Sequence, residues 1–247
     1  MGIASLTPRA EPHENSTVHG LGEVSRARHI VDALGGRFSL ELGIELNRDR
    51  HEIERWALAA TLIGDPTPLS TSLDAYRALA RAGIETPADV EACDPEELVR
   101  VLEEGHLRCD RGTPARLIAL ARAVRDRYPE GLAPLGAKIE DPIVLERKLC
   151  ALPGWDRTIA RTFLRELRGV WRGAEVPLDP RSAAGARHVA IPSHLDELSA
   201  LAAAAHLEVR DLEAGLARLA LTHDTSHCPG GEECPLAEAD REQFVHF

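Results

Sequence analysis

Aromatic side chains make up only 4% of the 247 residues. The apolar mass is instead alanine, leucine and valine, which suits packed helices better than a β-sandwich. Lysine is nearly missing: Lys138 and Lys148 are the only two, so the positive charge is almost all arginine. Cysteine is sparse as well, at positions 93, 109, 150, 228 and 234. Five irregularly spaced thiols in a chain this long do not read as a disulfide scaffold. Long apolar runs are absent, and no charged segment leading into an apolar one opens the chain. The expectation is a protein outside the membrane, in the cytoplasm.

Positive charge is also in deficit, with 29 Lys+Arg against 40 Asp+Glu and a net charge of −11. That sign excludes a surface that attracts nucleic acid everywhere, so any such role needs a local basic patch. Hydrophobic residues reach 44%, enough for a sizeable core. The fold class that follows is all-α.

Residues 1–20 are polar, contain Pro and Gly and lack periodicity, and read as a flexible arm. A helical pattern from Ser25 to Leu46 is broken at Gly35-Gly36. The stretch from His51 to Ile63 is apolar almost all round in its second half, the mark of a central buried helix. Further helices are announced by their caps: Asp94-Pro95, Thr113-Pro114 and Asp141-Pro142 open three of them. Helices are also expected over Arg157–Trp171, Ser193–Ala205 and Val209–Leu221, and no strand is.

Two helices are joined by the tight turn Leu152-Pro153-Gly154-Trp155-Asp156. Such a hairpin turns backbone N–H groups and a helix start outward, an anion site. On a helix of about 100° per residue, Arg157, Arg161, Arg165, Arg168 and Arg172 share an arc of roughly 80°. Residues 155–172 hold five arginines against Asp156 and Glu166, a net +3 inside an acidic chain. The stripe reads as a phosphate-tracking face, with a merely solvated face as its alternative.

The run Leu152-Pro153-Gly154-Trp155-Asp156-Arg157-Thr158-Ile159-Ala160 resembles the helix-hairpin-helix motif of the endonuclease III-like (HhH-GPD) DNA glycosylases. About twenty residues on, Val176-Pro177-Leu178-Asp179-Pro180-Arg181 is similar to the segment carrying that family's catalytic aspartate. Upstream, the segments at 56–67 and 105–124 resemble its buried helix and its I-G-L-Y segment, in the same order. The resemblance implies a two-lobed helical architecture with a cleft between the lobes. One lobe, a helical barrel, is expected over 49–172, and the other over 21–48 plus 173–247. It also implies a partner, double-stranded DNA holding a damaged or mismatched base, engaged by a monomer at the nucleoid. Asp179 is then the catalytic aspartate, its carboxylate stabilising the sugar cation as the flipped base leaves and orienting or deprotonating the attacking nucleophile. Gly154, Trp155, Arg157, Thr158, Arg161, Arg165 and Arg181 become the DNA-binding set.

Departures from the pattern qualify the reaction. Thr158 stands where bifunctional members carry the lysine that forms a Schiff base, so the implied enzyme is monofunctional and lacks lyase activity. Asp156 replaces the second hairpin glycine and puts a carboxylate where a phosphate belongs.

Relatives in this family often end in four cysteines holding a [4Fe–4S] cluster. Aligned on Cys234-Pro235-Leu236, the other three positions read Asp224, Gly231 and Asp240, which leaves too few thiolates. The tail reads as a metal-free loop, as a zinc site of His223, His227, Cys228 and Cys234, or as a cluster with unusual ligands. No cofactor is assigned outright. The leading functional expectation is a monofunctional DNA N-glycosylase. Its rival is a non-catalytic DNA- or protein-binding relative that kept the fold and lost the reaction.

Overall fold

The computed structural model describes residues 20–64, 66–109 and 112–237. The expected N-terminal arm, except Gly20, lies outside the described residues, as does Asp240. Among the described residues the regular elements are helices and no strand occurs.

Helix α1 (Leu21–Leu34) stops at Gly35, whose φ of 85° suits a residue without Cβ. The short α2 (Phe38–Glu41) follows. Asp49 opens α3 (Arg50–Gly64) by accepting from the N–H groups of His51 and Glu52. From Trp56 to Ile63 this helix is buried on every side, as its apolar run requires. The chain then forms α4 (Leu69–Arg81), α5 (Pro87–Ala92), α6 (Pro95–Glu104) and α7 (Thr113–Arg127). It continues with α8 (Leu135–Lys138), α9 (Pro142–Leu149) and α10 (Arg157–Arg165). Five further starts use the same device, an oxygen-bearing side chain over the first free N–H groups. Thr86, Asp94, Asp141 and Asp156 cap α5, α6, α9 and α10, and Asp179 caps α11 (Pro180–His188). The last two helices are α12 (Leu195–Ala204) and α13 (Val209–Thr222).

Apolar side chains gather into two cores. The larger surrounds α3 and takes in α4–α7, α9 and α10, together with Phe38, Ile44, Leu46, Ala174 and Val176. Trp155, Phe163 and Trp171 stack through it with centroid separations of 5.2 and 5.6 Å. Two indoles also hydrogen-bond within it: Trp56 Nε1 donates to the Phe163 carbonyl (3.0 Å), and Trp155 Nε1 to the Thr61 hydroxyl (2.9 Å). The smaller core joins α1, α11, α12 and α13 through Ile30, Ala186, Val189, Leu198, Leu212 and Leu216, and Cys234 and Ala237 close it.

One expected element is shorter than its periodicity suggests. The helix begun at Arg157 ends at Arg165 rather than Trp171, and residues 166–170 form turns. Gly169 lies there at φ 73°. The arc of five arginines therefore does not exist, because Arg168 and Arg172 are off the helix.

Helices α11 and α13 cross closely. A Cβ on Gly185 would overlap the backbone carbonyl of Leu216, and the Ser182 hydroxyl lies 2.9 Å from the Glu213 carbonyl. Residue 182 thus faces 213 and residue 185 faces 216, so the two helices run in the same direction. Their C-terminal ends, His188 and Thr222, are brought together. Gly185→Ala is expected to lower the unfolding free energy by about 2–3 kcal/mol, since the obstacle is backbone that cannot rotate away; urea denaturation with circular dichroism measures it.

Candidate functional site

Asp179 falls at the N-cap of α11, and none of its surface reaches solvent. Its Oδ1 accepts from the N–H groups of Arg181 (2.9 Å) and Ser182 (3.2 Å). Its Oδ2 accepts from Arg165 Nη1 (2.9 Å) and contacts the Ser182 hydroxyl. That hydroxyl also faces the Glu213 carbonyl, and its single proton serves one acceptor at a time. Every partner of the carboxylate belongs to the protein. A general base must come within hydrogen-bond reach of the proton it takes, and in this structure no part of the Asp179 side chain is exposed.

Arg165 is equally enclosed. Its guanidinium lies over the Phe38 ring at 4.9 Å, and its Nη2 is 3.6 Å from Glu166. Glu166 turns its carboxylate onto the start of α2, accepting from Phe38 N (2.9 Å) and Ser39 N (2.8 Å). Beside it Arg168 grips Glu213 with two bonds, 2.7 and 3.1 Å, and donates to the Ala174 carbonyl. Arg210 reaches the carbonyl of Glu166. Burial pushes Glu213 above the ordinary carboxylate range, with Arg168 pulling against it. A dense patch of opposite charges thus lies between the two cores.

The expected DNA-binding residues divide. Gly154, at φ 76°, and Arg157 are exposed, and Thr158 is half-buried. Trp155 is not available for stacking, being buried in the core and bonded to Thr61. Arg161 is spent on Glu146 (2.5 Å) and the Leu178 carbonyl (3.2 Å). Arg165 is locked to Asp179. Arg181 donates to the carbonyls of Ile63 and Gly64, closing the C-terminal end of α3. The expectation of a solvent-facing arginine stripe is therefore corrected: most of these guanidinium groups satisfy buried acceptors. Asp156 accepts from Ile159 N at 2.9 Å, so the anion position at the start of α10 holds the chain's own carboxylate.

Positive charge that does face solvent lies close by. Arg127, Lys138 and Lys148 line one cavity beneath the loop before α8, and Arg127 donates to the Ala151 carbonyl beside the hairpin. Arg147 and Arg157 are exposed on the same helix pair. Sequence periodicity pointed to α10; the exposed cations belong mainly to the helices around it.

The C-terminal loop brings a second set of groups together. His188, His223, Cys228 and Cys234 place their ligand atoms within 4.8 Å of one another. Among the expected ligands His227 is not part of the group: it is exposed and bonds Asp224 at 2.7 Å. His188, which no local motif marks, takes its place from the end of α11. Burial first, and the His223 ring second, hold the His188 imidazole below its ordinary value.

No family model, no curated protein and no solved structure matches the chain.

If the Arg165–Asp179 pair serves the fold, single substitutions should be costly and the pair replaceable. Arg165→Met and Asp179→Leu are each expected to lose about 3–5 kcal/mol of unfolding free energy, since each strands a buried charge. Arg165→Met with Asp179→Leu should lose far less than the two together, apart from about 1 kcal/mol for the missing cap. Chemical denaturation of the four proteins gives the coupling.

Proposed function

We propose that the chain is a helix-hairpin-helix protein that contacts the backbone of double-stranded DNA and does not excise bases. The observation that carries this reading is the enclosure of Asp179. The carboxylate that the sequence resemblance designates as catalytic has its oxygens filled by Arg165, Ser182 and two backbone N–H groups, with no exposed surface. Binding is supported by the resemblance of the hairpin and by the exposed cations around it: Arg127, Lys138, Arg147, Lys148 and Arg157. These cations are interleaved with carboxylates, Lys138 lying 3.5 Å from Glu130 and Arg157 3.7 Å from Glu146. Asp156 weakens the hairpin as a phosphate cradle, so the flanking side chains carry more of the contact. Such binding is read through phosphates and is independent of base sequence.

A second reading, the monofunctional glycosylase, is favoured by one fact: Asp179 caps a helix one loop after the hairpin helix, where the resemblance puts the family's acid. With Thr158 in place of lysine, that enzyme would use water and form no covalent DNA complex.

One experiment separates them. Duplexes carrying uracil, thymine mismatches, oxidised pyrimidines, 8-oxoguanine or alkylated purines are incubated with wild type and Asp179→Asn, and base release is measured. No release by either protein is expected; base release by the wild type from any of these duplexes would overturn the proposal. Duplex binding should weaken by at least about tenfold in Arg147→Glu/Lys148→Glu/Arg157→Glu. The slope of log K against log salt should fall by about 2–3, near 0.9 for each lost phosphate contact. Unchanged binding and slope would remove the nucleic-acid role.

A further inference from the structure

We propose that His188, His223, Cys228 and Cys234 form a structural Zn²⁺ site that staples the C-terminal loop to the adjoining ends of α11 and α13. The site is independent of the DNA-binding reading.

Tetrahedral zinc with bonds of about 2.0–2.3 Å holds its ligand atoms roughly 3.3–3.8 Å apart. The Cys234 Sγ to His223 Nε2 distance is already 3.7 Å, and all four ligand atoms fall within 4.8 Å. A contraction of about 1.5 Å or less completes the shell. His188 Nε2 is buried and has no hydrogen-bond partner, a state that a buried ring nitrogen rarely keeps without a ligand. The rings of His188 and His223 lie 5.3 Å apart between centroids.

The backbone is arranged to deliver these groups. The parallel crossing of α11 and α13 at Gly185 sets His188 beside His223. The loop from Cys228 turns at Gly230 and Gly231, with φ of 72° and 60°. A Cβ on Gly230 would press on the His188 carbonyl and ring, so glycine lets the loop pass against the imidazole. Cys234 is fully buried, and the other three residues are partly so.

The donor set selects the metal. Two thiolates cannot hold a [4Fe–4S] cluster, which uses four. Two sulfurs and two imidazoles in a tetrahedron suit zinc. As the two Zn–S bonds form, the Cys228 and Cys234 thiols each release one proton. The two thiolates then cancel the charge of the ion, and a neutral site suits its partial burial. Four protein ligands leave no open position, which makes the role structural.

The test uses the full chain. Metal analysis of purified protein should find one zinc per chain. Replacement by Co²⁺ should give the ligand-field bands of tetrahedral cobalt and a thiolate charge-transfer band. His188→Ala should weaken cobalt binding by at least about 100-fold, the upper loss seen when only an outer-shell partner is removed. His227→Ala should leave binding and spectrum unchanged, which separates this ligand set from the one that sequence proximity suggests. Should His188→Ala fail to fold, His188→Cys keeps four ligands and should bind cobalt with a stronger charge-transfer band. Failure to bind Zn²⁺ or Co²⁺ stoichiometrically overturns the proposal. So does a brown iron–sulfur protein, or loss of binding in His227→Ala with retention in His188→Ala.

Discussion

Arg165 and Arg168 are removed from water between two apolar cores, and buried carboxylates pair with both, while Arg165 Nε and Nη2 keep no hydrogen-bond partner. Isolated, each buried guanidinium would cost several kcal/mol. Each is matched by a buried carboxylate from the second core: Asp179 for Arg165 and Glu213 for Arg168. Glu166 extends the patch onto the start of α2, and Phe38 lies against both Arg165 and Arg218. An apolar seam would hold the cores together without fixing their orientation. Paired charges do both, because a shift of a few ångströms strands a charge. The same pairing draws Asp179 into the fold and away from solvent.

The hairpin bears the consequences. Gly154 has the positive φ the turn needs, and α10 begins at Arg157. The polar groups around the turn face inward: Asp156 caps its own helix, Arg161 holds Glu146, and Trp155 lies in the core. Apart from Arg157, the exposed cations near the hairpin lie on α7, α8 and α9.

At the other end of α11 nitrogen and sulfur atoms gather, and His188 Nε2 there keeps no hydrogen-bond partner. The close crossing at Gly185 sets two imidazoles side by side, and the glycine-rich loop lays two sulfurs against them. Helix α11 therefore starts in the charged seam and ends in the ligand cluster. Its length is held at both termini by polar groups, and its middle by backbone contact with α13.

Much of the helical framework was legible in the sequence: apolar periodicity, caps at Asp94 and Asp141 and the break at Gly35 are local properties of short segments, whereas α11, capped by Asp179, was not expected and is seen only in the structure. The sequence also marked the hairpin turn, the position of Asp179 and three of the four clustered ligands, since each lies within a short stretch of recognisable residues. Tertiary structure alone decided which arginines keep their charge in water. A periodic wheel places Arg165 and Arg168 on a solvated face, whereas the helix ends at Arg165 and both side chains turn toward acids 14 and 45 residues distant in sequence. It likewise replaced His227 with His188, 35 positions before His223 in the chain. The physical reason is common to both: a helix is selected by its neighbours in sequence, whereas charge pairing and ligand clustering are selected by which helices cross.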